Sequence, residues 1–358
     1  MKQAFAITLL LLTLNTFARA RVIPLKKDKK ESSYKVNHGA QPGDTIQLEG
    51  HYRLINLINV NGTKDKPIVI INKGMVTVSG YASYCFVITG KYFKILGNGS
   101  PSIKYGIQIS GFDSVYSASG LGLTTSSDYE VAYIKISHTK VGFFQNPVNA
   151  TDMANIYIHN CYISDLDNPK ELGRAEGFYI GNTHKVSPGK FKNFRIENNI
   201  LENLSGDGIQ VCQGDFTIKN NTIRNWAKAQ LRWQRNGILV GEGTTSTVEN
   251  NLLEGGHGVA YENFGGGEHT FKNNTIKNVD VSMLPHEDIV YLDGRGANFK
   301  IDFSGNTFEN VKANRKIIYN QTADSLTTGS IFKNNAGLTS DQLLLYKKDT
   351  LTQKTTEK

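Results

Sequence analysis

Seven stretches of the chain repeat one short pattern: alternating apolar and polar positions, a polar residue, Asn or Asn-Asn, then further apolar residues. They are Ile156–Ile163, Phe194–Leu201, Phe216–Ile223, Ser246–Leu253, His269–Ile276, Ile301–Phe308 and Ser330–Gly337. From Asn199 through Asn221, Asn251, Asn274 and Asn306 to Asn335 the steps are 22, 30, 23, 32 and 29 residues. A short base period that lengthens by insertion predicts a solenoid, each repeat adding one coil. Alternation of period two, with Val, Ile, Thr, Phe and Tyr dominating, predicts strands separated by Gly- and Asn-rich turns. Only Asp341–Lys348 reads as a short helix, a C-terminal cap.

A second set of strands aligns without gaps: Glu176–Asn182, Asp207–Gln213, Asn236–Glu242, His257–Asn263, Glu287–Asp293 and Arg315–Gln321. Each repeat therefore holds at least two strands. Parallel stacking at about 4.8 Å per coil turns aligned positions into columns. One interior column is Phe178, Ile209, Ile238, Val259, Ile289 and Ile317; another, two residues on, is Ile180, Val211, Val240, Tyr261, Tyr291 and Tyr319. Spacing by two puts both on one face. The expected fold is all-β, a single-stranded right-handed parallel β-helix, the hand being the usual one for such crossovers. The Asn column is expected to hold left-handed turns and to stack its carboxamides into a ladder, with Cys161 in the same column one repeat earlier. Between the interior columns an outward column of Tyr179, Gln210, Leu239, Ala260, Val290 and Ile318 is bordered by polar residues on both sides. That predicts a trough suited to an extended sugar chain.

Composition narrows the setting. Residues 1–20 have a charged start at Lys2, an apolar run over 4–14 and Ala-x-Ala at Ala18–Ala20, the pattern of a cleaved secretory leader and too short to span a bilayer. The expected organisation is leader 1–20, β-helix 21–340 and C-terminal cap or tail 341–358, secreted or periplasmic, monomeric and without a membrane anchor. Three cysteines, Cys85, Cys161 and Cys212, form neither a disulfide framework nor a metal-ligand pattern. The formal charge is +8. Lys2 and Arg19 fall in the leader, residues 21–31 carry a net +3 and residues 341–358 a net +1, leaving about +2 for the body. Nothing resembles a groove-reading helix or stacking module, so nucleic acid is not an expected partner.

Candidate chemistry lies in the second strand set and the insertions. The segment Trp226–Arg235 (WAKAQLRWQR) packs two Trp and two Arg into ten residues, and inserted loops on a rigid scaffold are where binding concentrates. Trp226 and Trp233 can stack on sugar rings; Arg232 and Arg235 can pair with a carboxylate or sulfate. Glu176, Asp207, Gln210 and Asn263 border the trough as further substrate-binding candidates. Glu242, Glu262 and Asp293 are candidates for a calcium or sugar-hydroxyl site. The structural alternative is that the loop only covers the solenoid, its aromatics packed and its cations solvated.

The opening coils, Gln41–Gly50 (QPGDTIQLEG), Asn61–Ile71 (NGTKDKPIVII) and Gly74–Gly80 (GMVTVSG), resemble those of secreted pectate-lyase-like β-helix proteins. They are most similar to polysaccharide lyase family six, which includes alginate lyases and chondroitinase B. The resemblance implies a β-helix acting on an acidic polysaccharide by β-elimination, with calcium as a candidate cofactor. That family's catalytic run, a Gly-Glu pair followed by an acidic strand and Asn-Lys-Ser, is absent, so none of its catalytic residues transfers. Elimination needs a partner for the uronate carboxylate, a base for the C5 proton and an acid for the leaving oxygen. From the residues themselves, Arg235 and His257 are the candidate bases, Arg232 the carboxylate partner and Tyr179 the acid. Two other readings stay open. Gly206–Ile209 (GDGI) and Gly256–Gly258 (GHG) resemble fragments of the polygalacturonase pattern, where paired carboxylates hydrolyse, but Asp207 has no acidic neighbour and a Gly-turn reading is preferred. The third reading is a non-catalytic carbohydrate-binding or adhesive β-helix.

Overall fold

The computed structural model describes residues 20–27, 30, 32–34, 39–80, 83–111, 118–147, 151–168, 175–183, 189–284, 288–295, 298–320, 330–339 and 342–344. Residues 1–19 of the expected leader, Glu287, Gln321 and most of the expected C-terminal cap lie outside these. Among the described residues there are 31 strands and no helix, all joined by parallel pairing into one right-handed β-helix. The expected helix near the C-terminus is corrected where it is described: Leu343–Leu344 is a strand paired with Ile318 and Tyr319.

Each regular coil carries three strands. The first sheet runs through Phe191–Glu197, Gly214–Lys219, Thr244–Glu249, Gly267–Lys272 and Phe299–Ser304. The second follows the Asn corner: Ile200–Leu204, Thr222–Arg224, Leu252–Glu254, Thr275–Asp280 and Thr307–Lys312. The third holds Glu176–Ile180, Ile209–Val211, Ile238–Val240, Tyr261–Phe264, Val290–Asp293 and Ile318–Asn320. In-register stacking aligns like residues inside. Phe143 and Phe178 stack at 4.7 Å, and Phe271 and Phe303 at 5.0 Å. Each large apolar side chain taken from water contributes roughly 1.5–3 kcal/mol.

The corner divides its labour between two residues, where the sequence reading gave both tasks to the second Asn. The first residue of the pair takes the left-handed conformation: Asn198, Asn220, Asn250 and Asn273 have φ of 57, 56, 56 and 54°, and Gly305, standing in for Asn, has 70°. The second Asn points inward and builds the ladder. Its Nδ2 donates to Oδ1 of the next coil's Asn, at 3.1 Å from Asn199 to Asn221, 3.0 Å to Asn251, 2.9 Å to Asn274, 3.2 Å to Asn306 and 2.9 Å to Asn335. Cys161 closes the column, its backbone N–H donating to Asn199 Oδ1 at 2.9 Å. All three cysteines are unpaired and buried, and burial raises each thiol to about 12.

The third sheet departs from the gapless alignment. Ile238 pairs with Tyr261, Leu239 with Glu262 and Val240 with Asn263; Tyr261 then pairs with Val290 and Glu262 with Tyr291. Against the gapless alignment the first step is shifted by two residues, which keeps the faces, and the second by one residue back, which exchanges them from Val290 onward. The outward column is therefore Tyr179, Gln210, Leu239, Glu262 and Tyr291. Ala260, Val290 and Ile318, expected outward, are buried, while Tyr291, expected inside, is half-buried on the outer face. The cause is local. Val259 and Ala260 do not belong to the strand but to the segment leading into it, where the Val259 carbonyl accepts from Trp226 Nε1 at 3.0 Å.

Candidate functional site

The insertion Trp226–Arg235 is built as a rigid strap. Trp226 is fully buried in the solenoid core, which removes it as a sugar-stacking residue. Backbone N–H groups of Ala227, Lys228 and Ala229 donate to the carbonyls of Gly206, Leu204 and Ser205 at 2.9, 3.1 and 3.1 Å. The Gly-His-Gly fragment serves this packing. A Cβ on Gly256 would lie 2.0 Å from the Trp226 ring, and one on Gly258 would lie 2.2 Å from the Arg235 carbonyl oxygen. Both glycines are therefore required by the close approach of the strap, through packing and not through a left-handed turn.

Beyond the strap lies a cavity of about 610 Å³. Arg232, Trp233 and Arg235 wall it from the strap, His257, Leu284 and Arg315 from the loops before the third sheet, and Glu262, Tyr291, Asp293 and Arg295 from the sheet and its far edge. Six of the residues singled out in the sequence thus meet in one place: Arg232, Arg235, His257, Trp233, Glu262 and Asp293. Trp233 is 75% exposed, its ring under the Arg232 guanidinium at 4.7 Å. Arg315 is held by the buried Asp288, Nη2 to Oδ2 2.5 Å. Burial pushes the Asp288 carboxyl up, and the charges of Arg315 and Arg235 oppose the rise. Arg295 lies over the Phe264 ring at 3.9 Å, and its backbone N–H donates to Asp293 Oδ1 at 2.9 Å. Four guanidinium groups and two carboxylates line the hollow beside an aromatic lip, with Asp288 and Glu242 partnering Arg315 and Arg295 from outside the lining; guanidinium forks match carboxylate and sulfate oxygens.

The remaining candidates lie elsewhere. Tyr179 sits on the outer face three rungs from Glu262, stacked on Phe144 at 5.5 Å; burial, then the charge of Glu176, raises its phenol. It does not line the cavity, and Tyr291 is the phenol that does. Glu176 is 2% exposed and accepts from Gln234 Nε2 of the strap. Asp207 is fully buried, its Oδ1 accepting from the Asn236 backbone N–H at 2.6 Å and from Nδ2 at 3.2 Å. Its carboxyl is raised well above the usual range by burial, and the charges of Glu176 and Glu262 add to the rise. Gln210 is 4% exposed and Asn263 fully buried, its Nδ2 donating to the Tyr261 hydroxyl at 2.9 Å. Glu176, Asp207, Gln210 and Asn263 are thus corrected from trough-lining to buried, because the strap and the true register cover them. Asp207 Oδ2, Gln210 Nε2, Gln234 Oε1, Asn236 Oδ1 and Asn263 Oδ1 have no hydrogen-bond partner among the described residues.

The three candidate metal ligands do not form a set. Glu262 and Asp293 line the cavity, but Glu242 lies outside its lining, 3.9 Å from Arg295 Nη1. Among the described residues no three His, Cys, Asp or Glu side chains converge as a metal site, and Glu242, Glu262 and Asp293 do not come together as one. Sequence reasoning missed Arg295 and Leu284, and placed Tyr291 inside. Arg295 carried a signal, two residues past Asp293 at the end of a repeat strand.

The sequence model of the right-handed β-helix region matches residues 46–275 and, in a second alignment, 175–342. The chain belongs to the right-handed β-helix family. Among solved structures this β-helix protein is similar to an alginate lyase from Paenibacillus sp. str. FPU-7, with 15% identity, a TM-score of 0.56, and coverage of 82% of this chain and 98% of the other. It is also similar to the pectate lyase Pel9A, with 15% identity, TM-score 0.47 and coverage of 87% and 81%. A third is a GH136 lacto-N-biosidase from Eubacterium ramulus, with 15% identity, TM-score 0.43 and coverage of 83% and 62%. At this identity the likeness is one of fold. No curated protein sequence matches the chain. The resemblance of the opening coils to pectate-lyase-like β-helix proteins is borne out at the level of that fold.

Proposed function

We propose that this β-helix protein binds an acidic polysaccharide in the arginine-walled cavity and cleaves it by β-elimination. The observation that carries the reading is the convergence of Arg232, Arg235, Arg295 and Arg315 with the exposed Trp233 on one hollow. Its chemistry follows from the residue types. A uronate carboxylate paired with guanidinium groups loses the charge that makes its neighbouring C–H a poor acid. His257 and Arg235 are the bases at hand for that proton, and Tyr291 is a phenol able to return one to the leaving oxygen. The structural neighbours that are lyases of acidic polymers agree with this reading, and the leader-like pattern of residues 1–20 agrees with export to where such polymers occur.

A second reading rests on Glu262 and Asp293, two carboxylates lining the same cavity, which is the equipment of hydrolysis. One experiment separates the readings. The purified protein is incubated with pectate, alginate, chondroitin and ulvan, with calcium or chelator, while ultraviolet absorbance of unsaturated sugar and new reducing ends are followed together. Rising absorbance with reducing ends is expected. Reducing ends alone would establish the hydrolase instead, and silence with retained binding would leave a carbohydrate-binding module.

A further inference from the structure

We infer that the cavity takes the end of a saccharide chain and not its middle, an inference that rests on the proposed saccharide-handling role. The sequence pattern alone implies an open trough along the axis, with the third sheet's outward column as its floor. The floor is closed at its centre. Gln210 and Leu239 belong to that column and yet are only 4% and 5% exposed. Leu239 is covered by Phe264, packed with it and Cys212; beside them the strap reaches back to the Glu176 coil, Gln234 Nε2 donating to Glu176 Oε1, and is pinned by the buried Trp226.

Arg232, Trp233 and Arg235 then face the cavity from the strap. A polymer laid along the axis over Glu262 and Tyr291 runs into this wall. Across the sheet the cavity is bordered by Leu284 and Arg315 at one edge and by Arg295, over the Phe264 ring at 3.9 Å, at the other. A hollow of about 610 Å³, in the range of pockets that enclose small ligands, accommodates a short terminal stretch. The anionic group and ring of that stretch meet the arginines and Trp233; the rest of the chain leaves toward solvent. Action on a polymer is therefore from the end, releasing short products.

The test uses the full chain and any polymer of the panel on which it is active. Viscosity and product sizes are followed beside ultraviolet absorbance, and binding of uronic-acid oligomers is titrated by tryptophan fluorescence with a short oligomer and one several times longer. Short unsaturated products from the first time point, with viscosity persisting, are expected. Affinity per chain should be the same for the short and the long oligomer. Early collapse of viscosity with a ladder of intermediate sizes would overturn end recognition while leaving the lyase reading intact, as would affinity that climbs with oligomer length. Absence of both turnover and binding across the panel would remove the saccharide role, and this inference with it.

Discussion

Trp226 and Trp233, seven residues apart, do opposite work, and residue-level tests divide accordingly. Trp226 is core; replacing it by Ala should cost about 3–5 kcal/mol, read as an earlier urea midpoint. Trp233→Ala should leave that midpoint unchanged and weaken saccharide binding several-fold in isothermal titration calorimetry, which does not need the removed indole as reporter. Under the proposed function, His257→Ala and Arg235→Ala should each lower turnover by roughly 10²-fold or more at unaltered thermal midpoint; a variant that keeps its activity removes that residue from the chemistry. Asp207 makes a prediction with a definite sign. Its folded carboxyl titrates well above the usual range because it is buried, so the native state binds a proton that the unfolded chain releases. Its stability contribution is present below the ordinary carboxylate pKa and is lost as pH rises toward the folded value. Asp207→Asn keeps an acceptor for Asn236 and removes this penalty. The variant should melt at a higher temperature than the parent at pH 8, with the gap closing toward pH 4. An equal gap at both would show that Asp207 is ionised in the fold.

At the scale of elements the Asn corner holds the coils in register. Asn251 accepts from the backbone N–H and Nδ2 of Asn221 at 2.9 and 3.0 Å, and donates to the Ile218 carbonyl and to Asn274 Oδ1, both at 2.9 Å. Truncation to Ala leaves several of these groups buried without partners, at about 1–3 kcal/mol each. Asn251→Ala should therefore destabilise by at least about 3 kcal/mol in urea unfolding. Asn335→Ala, at the half-buried end of the ladder, should cost clearly less. Equal losses would mean that the corner's shape, set by the left-handed residue before each Asn, matters more than the ladder. A second corner four residues on repeats the device in the open: Asn225 Nδ2 donates to Asn203 Oδ1 at 3.1 Å, and Asn203 to Asp165 at 3.0 Å. The phrase that marks a coil is thus longer than the Asn pair alone. His269, packed into the first sheet with Nδ1 3.0 Å from Ser246 Oγ, is held down to about 4 by burial. Being neutral in the fold, it withdraws stability as pH falls from its ordinary value toward 4.

The whole molecule is a stack of nearly equivalent rungs, and its function depends on where the equivalence is broken. The strap is that break. Gln234→Ala removes its hydrogen bond to Glu176 and, if the strap blocks the axis, should shift the product distribution toward longer fragments on size-exclusion chromatography; an unchanged distribution would mean that Trp226 and the backbone bonds hold the strap by themselves. Much of the architecture was legible in the chain. The recurring Asn column, the interior pairs such as Ile209 with Ile238, and the grouping of Arg232, Trp233 and Arg235 on an insertion all follow from local pattern, because stacking in register converts a repeat into a column. Two causes bury the other candidates: alternation says nothing about what later covers Glu176, Asp207 and Gln210, and the true register turns Asn263 inward opposite Val240. The slip at Val259 and Ala260 was equally hidden, since both are as apolar as the strand residues they precede. Local pattern is enough to specify the solenoid, its corner residues and the chemistry available on the strap. Which coil the strap lies across, and which arginines share a cavity with Glu262 and Tyr291, is settled by packing in three dimensions. Those choices depend on Trp226 finding its seat against Gly256 and on a register that no single repeat encodes.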